Sequence, residues 1–175
     1  SLVHDYTDGS VSVATGGIEL GQGVSSNMIQ ICSRSFGIPV SRIKSNSTNT
    51  SRIANISPSA ASATTDLNGN ATLIACNKIL DGMKQVAAKD LGCDSSAISI
   101  KDAKVLRDGS DTGLSWSELV SKTYMSRVPL MAHGFYTPPN IHFDGVKGYG
   151  RPFHYYTYGT CMVEANVDCL RGVYT

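Results

Sequence analysis

Between Gly16 and Gly23 the chain reads Gly-Gly-Ile-Glu-Leu-Gly-Gln-Gly, four glycines in eight residues. A backbone with so few Cβ atoms can lie close against a bound group and take positive φ values. The run that follows starts a helix, and the N–H groups of a first helical turn have no partner inside the helix and point at an anion placed there. Gln22 adds an uncharged side chain that both donates and accepts hydrogen bonds. This set suits the edgewise holding of a polar, anionic cofactor by Gly21, Gln22 and Gly23. A tight strand-to-helix turn uses the same residues, so both readings stand at this point. No Lys-Ser or Lys-Thr follows and the glycines do not fit Gly-x-Gly-x-x-Gly, which excludes the common phosphate and dinucleotide loops.

A second stretch, Ser57-Pro58-Ser59-Ala60-Ala61-Ser62, has a helix N-cap in Ser57 and a favoured first helical residue in Pro58. Its small side chains fit either close packing by a neighbouring element or a second anion-accepting helix start. Glu19 is the carboxylate that invites a general-base role, and hydrogen bonds from the loop's own N–H groups explain it equally well. There is no Gly-x-Ser-x-Gly elbow and no His-Glu-x-x-His pair. The histidines (His4, His133, His142, His154) are dispersed and read as structural. The five cysteines (Cys32, Cys76, Cys93, Cys161, Cys169) show no Cys-x-x-Cys and no zinc spacing.

These candidates need elements to position them. Leu2–Thr7 and Ser10–Ala14 read as strands flanking a two-residue turn at Asp8-Gly9, with Val11 and Val13 on one face. Val24, Met28, Ile31, Cys32 and Phe36 have helical spacing, with Gly37 to cap the helix and Pro39 to prevent its continuation. Ile43–Thr50 reads as a short strand. A long helix is expected from Pro58, with Leu67, Ala71 and Ile74, then Cys76, Ile79, Leu80, Met83 and Ala87, along its buried stripe. Strands follow at Ile98–Ile100 and Ala103–Leu106, then a Ser115/Glu118 capping box before a helix carrying Trp116, Leu119, Val120 and Tyr124. Leu130–Tyr136 reads as a strand, and Phe153–Val167 as a central strand because both of its faces are apolar. The whole reads as one mixed α/β unit, residues 1–175, with no internal repeat.

Of the 175 residues 41% are hydrophobic, enough for one core, and the net charge of +1 with no dense basic run argues against nucleic acid or an acidic membrane as partner. No apolar run is long enough to span a bilayer. Four Asn-x-Ser/Thr triplets (at Asn46, Asn49, Asn55 and Asn70) would suit a secreted glycoprotein. Scattered cysteines in odd number and the lack of a leader point instead to reduced thiols in the cytosol. The chain is expected to be a piece of a longer polypeptide.

The glycine loop, then Ser57-Pro-Ser-Ala-Ala-Ser62 with Thr65-Asp-Leu-Asn-Gly69, resembles the molybdenum-binding domain of the xanthine dehydrogenase and aldehyde oxidase family. Gly134-Phe-Tyr-Thr-Pro138, Phe153-His-Tyr-Tyr-Thr-Tyr-Gly159 and Val163-Glu-Ala-Asn-Val-Asp168 resemble later segments of the same domain, in order along nearly the whole chain. The resemblance implies part of a large molybdenum hydroxylase in which molybdenum–molybdopterin oxidises a purine, N-heterocycle or aldehyde carbon with oxygen from water. Electrons would leave through [2Fe–2S] clusters and FAD to NAD or oxygen, in a cytoplasmic or peroxisomal homodimer. It places the pterin at Gly21, Gln22 and Gly23, and puts Ser59, Ala60, Ala61 and Ser62 near the cofactor and the metal. It puts no catalytic base and no metal-ligating side chain within these residues. Two rival readings are a non-catalytic relative that has lost the cofactor and an unrelated glycosylated domain.

Overall fold

The computed structural model describes residues 1–52, 58–60 and 62–175, which fall into two compact units, Ser1–Thr137 and Pro138–Thr175. In the first, the elements run β1 (Leu2–Asp5), β2 (Val11–Ala14), α1 (Val24–Phe36), β3 (Ile43–Asn46), α2 (Thr64–Leu91), β4 (Ile98–Lys101), β5 (Lys104–Arg107), β6 (Ser110–Ser115), α3 (Trp116–Met125) and β7 (Met131–His133). One sheet has the order β3-β2-β1-β7, and a second has the order β4-β5-β6. In the first sheet β1 lies antiparallel to β2 and β7, while β2 and β3 are parallel and α1 crosses between them. The fold is thus mixed α/β.

The hydrophobic pattern accounts for this arrangement. Val3, Val11 and Val13 point to one side of the first sheet and are essentially inaccessible, as are Val24, Met28, Cys32 and Phe36 on α1 and Cys76, Ile79 and Met83 on α2. Burial of each such side chain stabilises the fold by about 1.5–3 kcal/mol. Gly37 closes α1 with its N–H on the Ser33 carbonyl. The Ser115/Glu118 capping box opens α3, as expected. Trp116 at the head of α3 lies against Phe36, ring centroids 5.4 Å apart, and its indole N–H donates to the Gly9 carbonyl at 2.9 Å. One aromatic pair thereby ties α3 to α1 and to the β1–β2 hairpin.

Several boundaries differ from the sequence expectation. The hairpin turn is three residues, Thr7-Asp8-Gly9, because the Tyr6 N–H donates to Ser10 and the Gly9 N–H returns to Tyr6. The long helix begins at Thr64 rather than Pro58; Pro58–Ala60 and Ser62 are exposed and non-helical, so no buried face holds them in a helix. The proposed cap Ser57 lies outside the described residues. The polar run Ser110–Ser115 was not expected as a strand and becomes one because β5 offers it a ladder partner. Phe153–Val167 is not one continuous strand: at its end, in the second unit, Asn166 exchanges backbone hydrogen bonds with Thr175 and Val167–Asp168 pairs with Val173–Tyr174. Tyr156, Tyr158, Met162 and Val163 are largely exposed. Apolar residues on both faces specify a strand only where neighbouring strands supply its hydrogen bonds. The rest of the second unit is two small hairpins, β8 (His142–Asp144) with β9 (Tyr149–Arg151), and β10 (Val167–Asp168) with β11 (Val173–Tyr174).

Two positions in the first unit carry sharp constraints. A Cβ on Gly134, just past β7, would stand 1.8 Å from the Ala71 carbonyl oxygen of α2, which is backbone and cannot turn aside. Asp5 sits on the inward face of β1, only 6% exposed, and neither carboxyl oxygen has a hydrogen-bond partner. Burial, with the negative charge of Asp8 adding to it, pushes its pKa up to about 8.

Gly134→Ala is expected to cost at least about 3 kcal/mol of stability, because overpacking against fixed backbone has no cheap relief. A denaturation midpoint like that of the parent would contradict the packing described. For Asp5 the folded protein keeps its proton up to about pH 8, whereas the unfolded chain loses it near 3.8. Stability is therefore fully present below the unfolded value, falls by at most about 1.4 kcal/mol per pH unit as pH rises towards the folded value, and is flat above it. Asp5→Val should abolish that slope and raise stability at pH 8 by a few kcal/mol, measured by urea denaturation across the range. A slope unchanged by the substitution would place the titration elsewhere.

Candidate functional site

The glycine loop leaves β2 at Thr15 and enters α1 at Val24, and three sets of bonds fix its path. Thr48, beyond β3, donates from Oγ1 to the carbonyls of Thr15 and Gly17, both at 2.8 Å. Glu19 folds back over the loop: Oε1 accepts from the N–H groups of Gly21 and Gly23, each at 2.9 Å, and Oε2 from that of Ser25 at 2.8 Å. Gln22 turns inward as well, donating from Nε2 to the Ile18 carbonyl at 2.7 Å and accepting at Oε1 from the Leu20 N–H at 2.6 Å. The remaining side chains, Ile18 and Leu20, are exposed at 61% and 83%.

Glu19 thus settles between the two readings of its role. Its carboxylate is held below the usual range by the backbone N–H bonds from Ser25, Gly23 and Gly21, which makes it a weak base and a good cap. α1 itself has no cap side chain at Gly23 and no acidic residue in its first turn. The anion-accepting N–H of Ser25 in that turn, expected to face a ligand, is taken by a carboxylate from the chain itself. Gly21 and Gly23 have φ of +95° and +82°, with nothing within 4 Å of an added Cβ. Glycine is needed there for conformation, not for room.

The start of α2 lies beside this loop. Asn27, one turn into α1, donates from Nδ2 to Oγ1 of Thr65 at 3.0 Å. A Cβ on Gly17 would stand 2.9 Å from Cγ2 of Thr64, and one on Gly69 would stand 2.8 Å from Cδ1 of Ile31. Further along, Cys32 and Cys76 face each other with sulfurs 3.8 Å apart. The two helices therefore run in the same direction from adjacent starts. Ser59, Ala60 and Ser62 are exposed on the approach to α2; Ala61 lies outside the described residues.

Thr48 and Asn27 were not singled out from the sequence, and Thr65 and the buried Asn68 only as part of the Thr65–Gly69 motif. The signal that could have found two of them is a polar residue one turn inside each helix, on the side that faces the other. The histidines are dispersed as expected: His4 stacks on Tyr6, the His133 carbonyl accepts from Lys78, and His142 and His154 belong to the second unit. Among the described residues no cluster of His, Cys, Asp or Glu could hold a metal ion, and no helix is long and apolar enough to cross a membrane. The Cys76 thiol is pushed far up by its hydrogen bond with Cys32 and by burial, so Cys76 is not a nucleophile. Of the expected glycosylation triplets, the one at Asn70 lies inside α2, with its amide bonded to Asp66 and Thr72 buried.

Residues 1–175 match the family model described as the molybdopterin cofactor-binding domain. The chain belongs to this family. It is 40% identical over 172 residues to the xanthine dehydrogenase of Oryza sativa subsp. japonica, a match covering 98% of this chain and 11% of that protein. Against the xanthine dehydrogenase/oxidase of Mus musculus the figures are again 40%, 98% and 11%. Among solved structures, reconstituted CO dehydrogenase from Oligotropha carboxidovorans aligns with TM-score 0.71 and 26% identity over 79% of this chain and 18% of that one. Quinoline 2-oxidoreductase from Pseudomonas putida 86 aligns with TM-score 0.67 over 79% of this chain and 19% of its own, at 22% identity, a likeness of fold. The chain spans about one-ninth of the curated relatives it matches.

Because Gly21 and Gly23 are constrained in φ alone, Gly21→Ala and Gly23→Ala should each cost roughly 1–2 kcal/mol, while Gly→Asn at the same positions should cost less. Equilibrium denaturation would check the order. Equal costs for Ala and Asn would mean that the left-handed backbone is not what these positions require.

Proposed function

We propose that residues 1–175 form one piece of the molybdenum–molybdopterin-binding domain of a molybdenum hydroxylase of the xanthine dehydrogenase type. The observation that carries this reading is the adjacency of the two motifs: residues about forty positions apart in sequence meet through the Asn27–Thr65 hydrogen bond and the close approach of Gly17 to Thr64. Gly21, Gln22 and Gly23 would hold the pterin, and Ser59, Ala60, Ala61 and Ser62 would lie near the cofactor and molybdenum. When bound, the cofactor supplies the two-electron oxidation of the substrate carbon, with oxygen from water. This chain's residues hold and orient it.

A purine is the favoured substrate class, supported by relatives named xanthine dehydrogenase at 40% identity. Aldehydes and N-heterocycles follow from the family resemblance. The whole enzyme is proposed to be a cytoplasmic homodimer that passes electrons through [2Fe–2S] clusters and FAD to NAD or oxygen. No catalytic base is assigned within these residues, so the isolated chain should oxidise neither purines nor aldehydes.

In the full-length enzyme, Gln22→Ala and Ser62→Ala should each lower the molybdenum and pterin retained per protomer, by about tenfold on the scale seen when supporting residues around a metal centre are lost. Elemental analysis and pterin fluorescence after gel filtration would read this. Full retention in both variants would overturn the assignment.

A further inference from the structure

We propose that Glu19 is a positioning residue: an internal anion that fills the nest of N–H groups at the start of α1 and so locks the cofactor loop in its working shape before any cofactor arrives. This rests on the reading of that loop as the pterin holder. Three observations carry it. A single carboxylate takes three backbone donors spread over five residues, Gly21, Gly23 and Ser25, at 2.8–2.9 Å. Two of those donors belong to the residues in left-handed backbone, at φ +95° and +82°, a local shape that collects successive N–H groups around an anion. And α1 has no other cap, since Gly23 offers no side chain and its first turn carries no acid.

The consequence for recognition is specific. With Glu19 seated, the amides of Gly21, Gly23 and Ser25 are spent on the protein, and a second anion there would meet a like charge. The loop then presents its outer edge, including the backbone carbonyls and the far side of the Gln22 amide, rather than an empty anion hole. Glu19 touches no reacting atom on this account and acts only through the loop.

The test uses the full-length enzyme with Glu19→Gln and Glu19→Ala. Glu19→Ala should raise hydrogen exchange at the Gly21, Gly23 and Ser25 amides by tenfold or more with exchange elsewhere unchanged, and should speed cofactor loss by about tenfold. Glu19→Gln, which keeps one oxygen acceptor but no charge, should fall between the two. Acetate or formate at high concentration should restore slow exchange and cofactor retention to Glu19→Ala, because a small carboxylate can occupy the vacated nest. A merely structural role elsewhere would not respond to added anion. Looser amides with unchanged cofactor retention would overturn the proposal while leaving the loop's binding role intact. No effect of acetate or formate would overturn it as well. If Gln22→Ala and Ser62→Ala also left retention unchanged, the binding role itself would fall, and this proposal with it.

Discussion

The parallel packing of α1 on α2 is the constraint on which the rest of the first unit depends. It is tight at its beginning, where Gly17 and Gly69 let Thr64 and Ile31 come within a distance that a methyl group would close. It continues through Cys32 and Cys76 in the core. Parallel neighbours with adjacent starts oblige whatever precedes each helix to converge. The glycine loop precedes one and the Ser-Ala-Ala-Ser segment precedes the other. Helix packing, more than either motif alone, brings Asn27 to Thr65 and Gly17 to Thr64 from two remote stretches of chain.

Much of this was readable in advance and some was not, for reasons that can be assigned to particular residues. α1 was legible because its apolar stripe, its glycine cap and the proline beyond it agree, and local agreement of this kind is what specifies an element. The core stripe of α2 was legible for the same reason, but its start was not. Ser-Pro is a strong local start signal, yet Pro58–Ala60 and Ser62 are exposed and give a helix no tertiary support. Phe153–Val167 failed in the opposite direction: its composition asks for a central strand, and pairing depends on other strands that no residue within it can encode. The site was legible as two motifs. Their junction was not, because Asn27–Thr65 is a contact between ordinary polar residues whose partnership exists only in three dimensions.

The glycine loop and Asp5 show two opposite ways of treating a carboxylate. Glu19 is fully exposed to water and yet fully engaged, which costs little desolvation and returns three charge-assisted bonds. Asp5 is almost fully buried and engaged with nothing, so the fold keeps it neutral instead. The first arrangement makes a loop rigid without relying on a ligand, and a preorganised loop loses less freedom when something binds. The second spends stability at a place the candidate site does not touch.

The extended run in the second unit has a practical bearing on how such a chain can be made. From Pro152 to Val163 it carries Phe, three Tyr, Cys, Met and Val and not one carboxylate, lysine or arginine, with Arg151 and Glu164 standing at its two ends. A charge-free run of exposed aromatic and β-branched side chains is the kind of segment on which copies of a chain stack into cross-β aggregates. The two flanking charges sit where gatekeepers sit in natural sequences. During synthesis such a stretch is an aggregation hazard, so expression of these residues alone calls for a solubilising fusion or a chaperone.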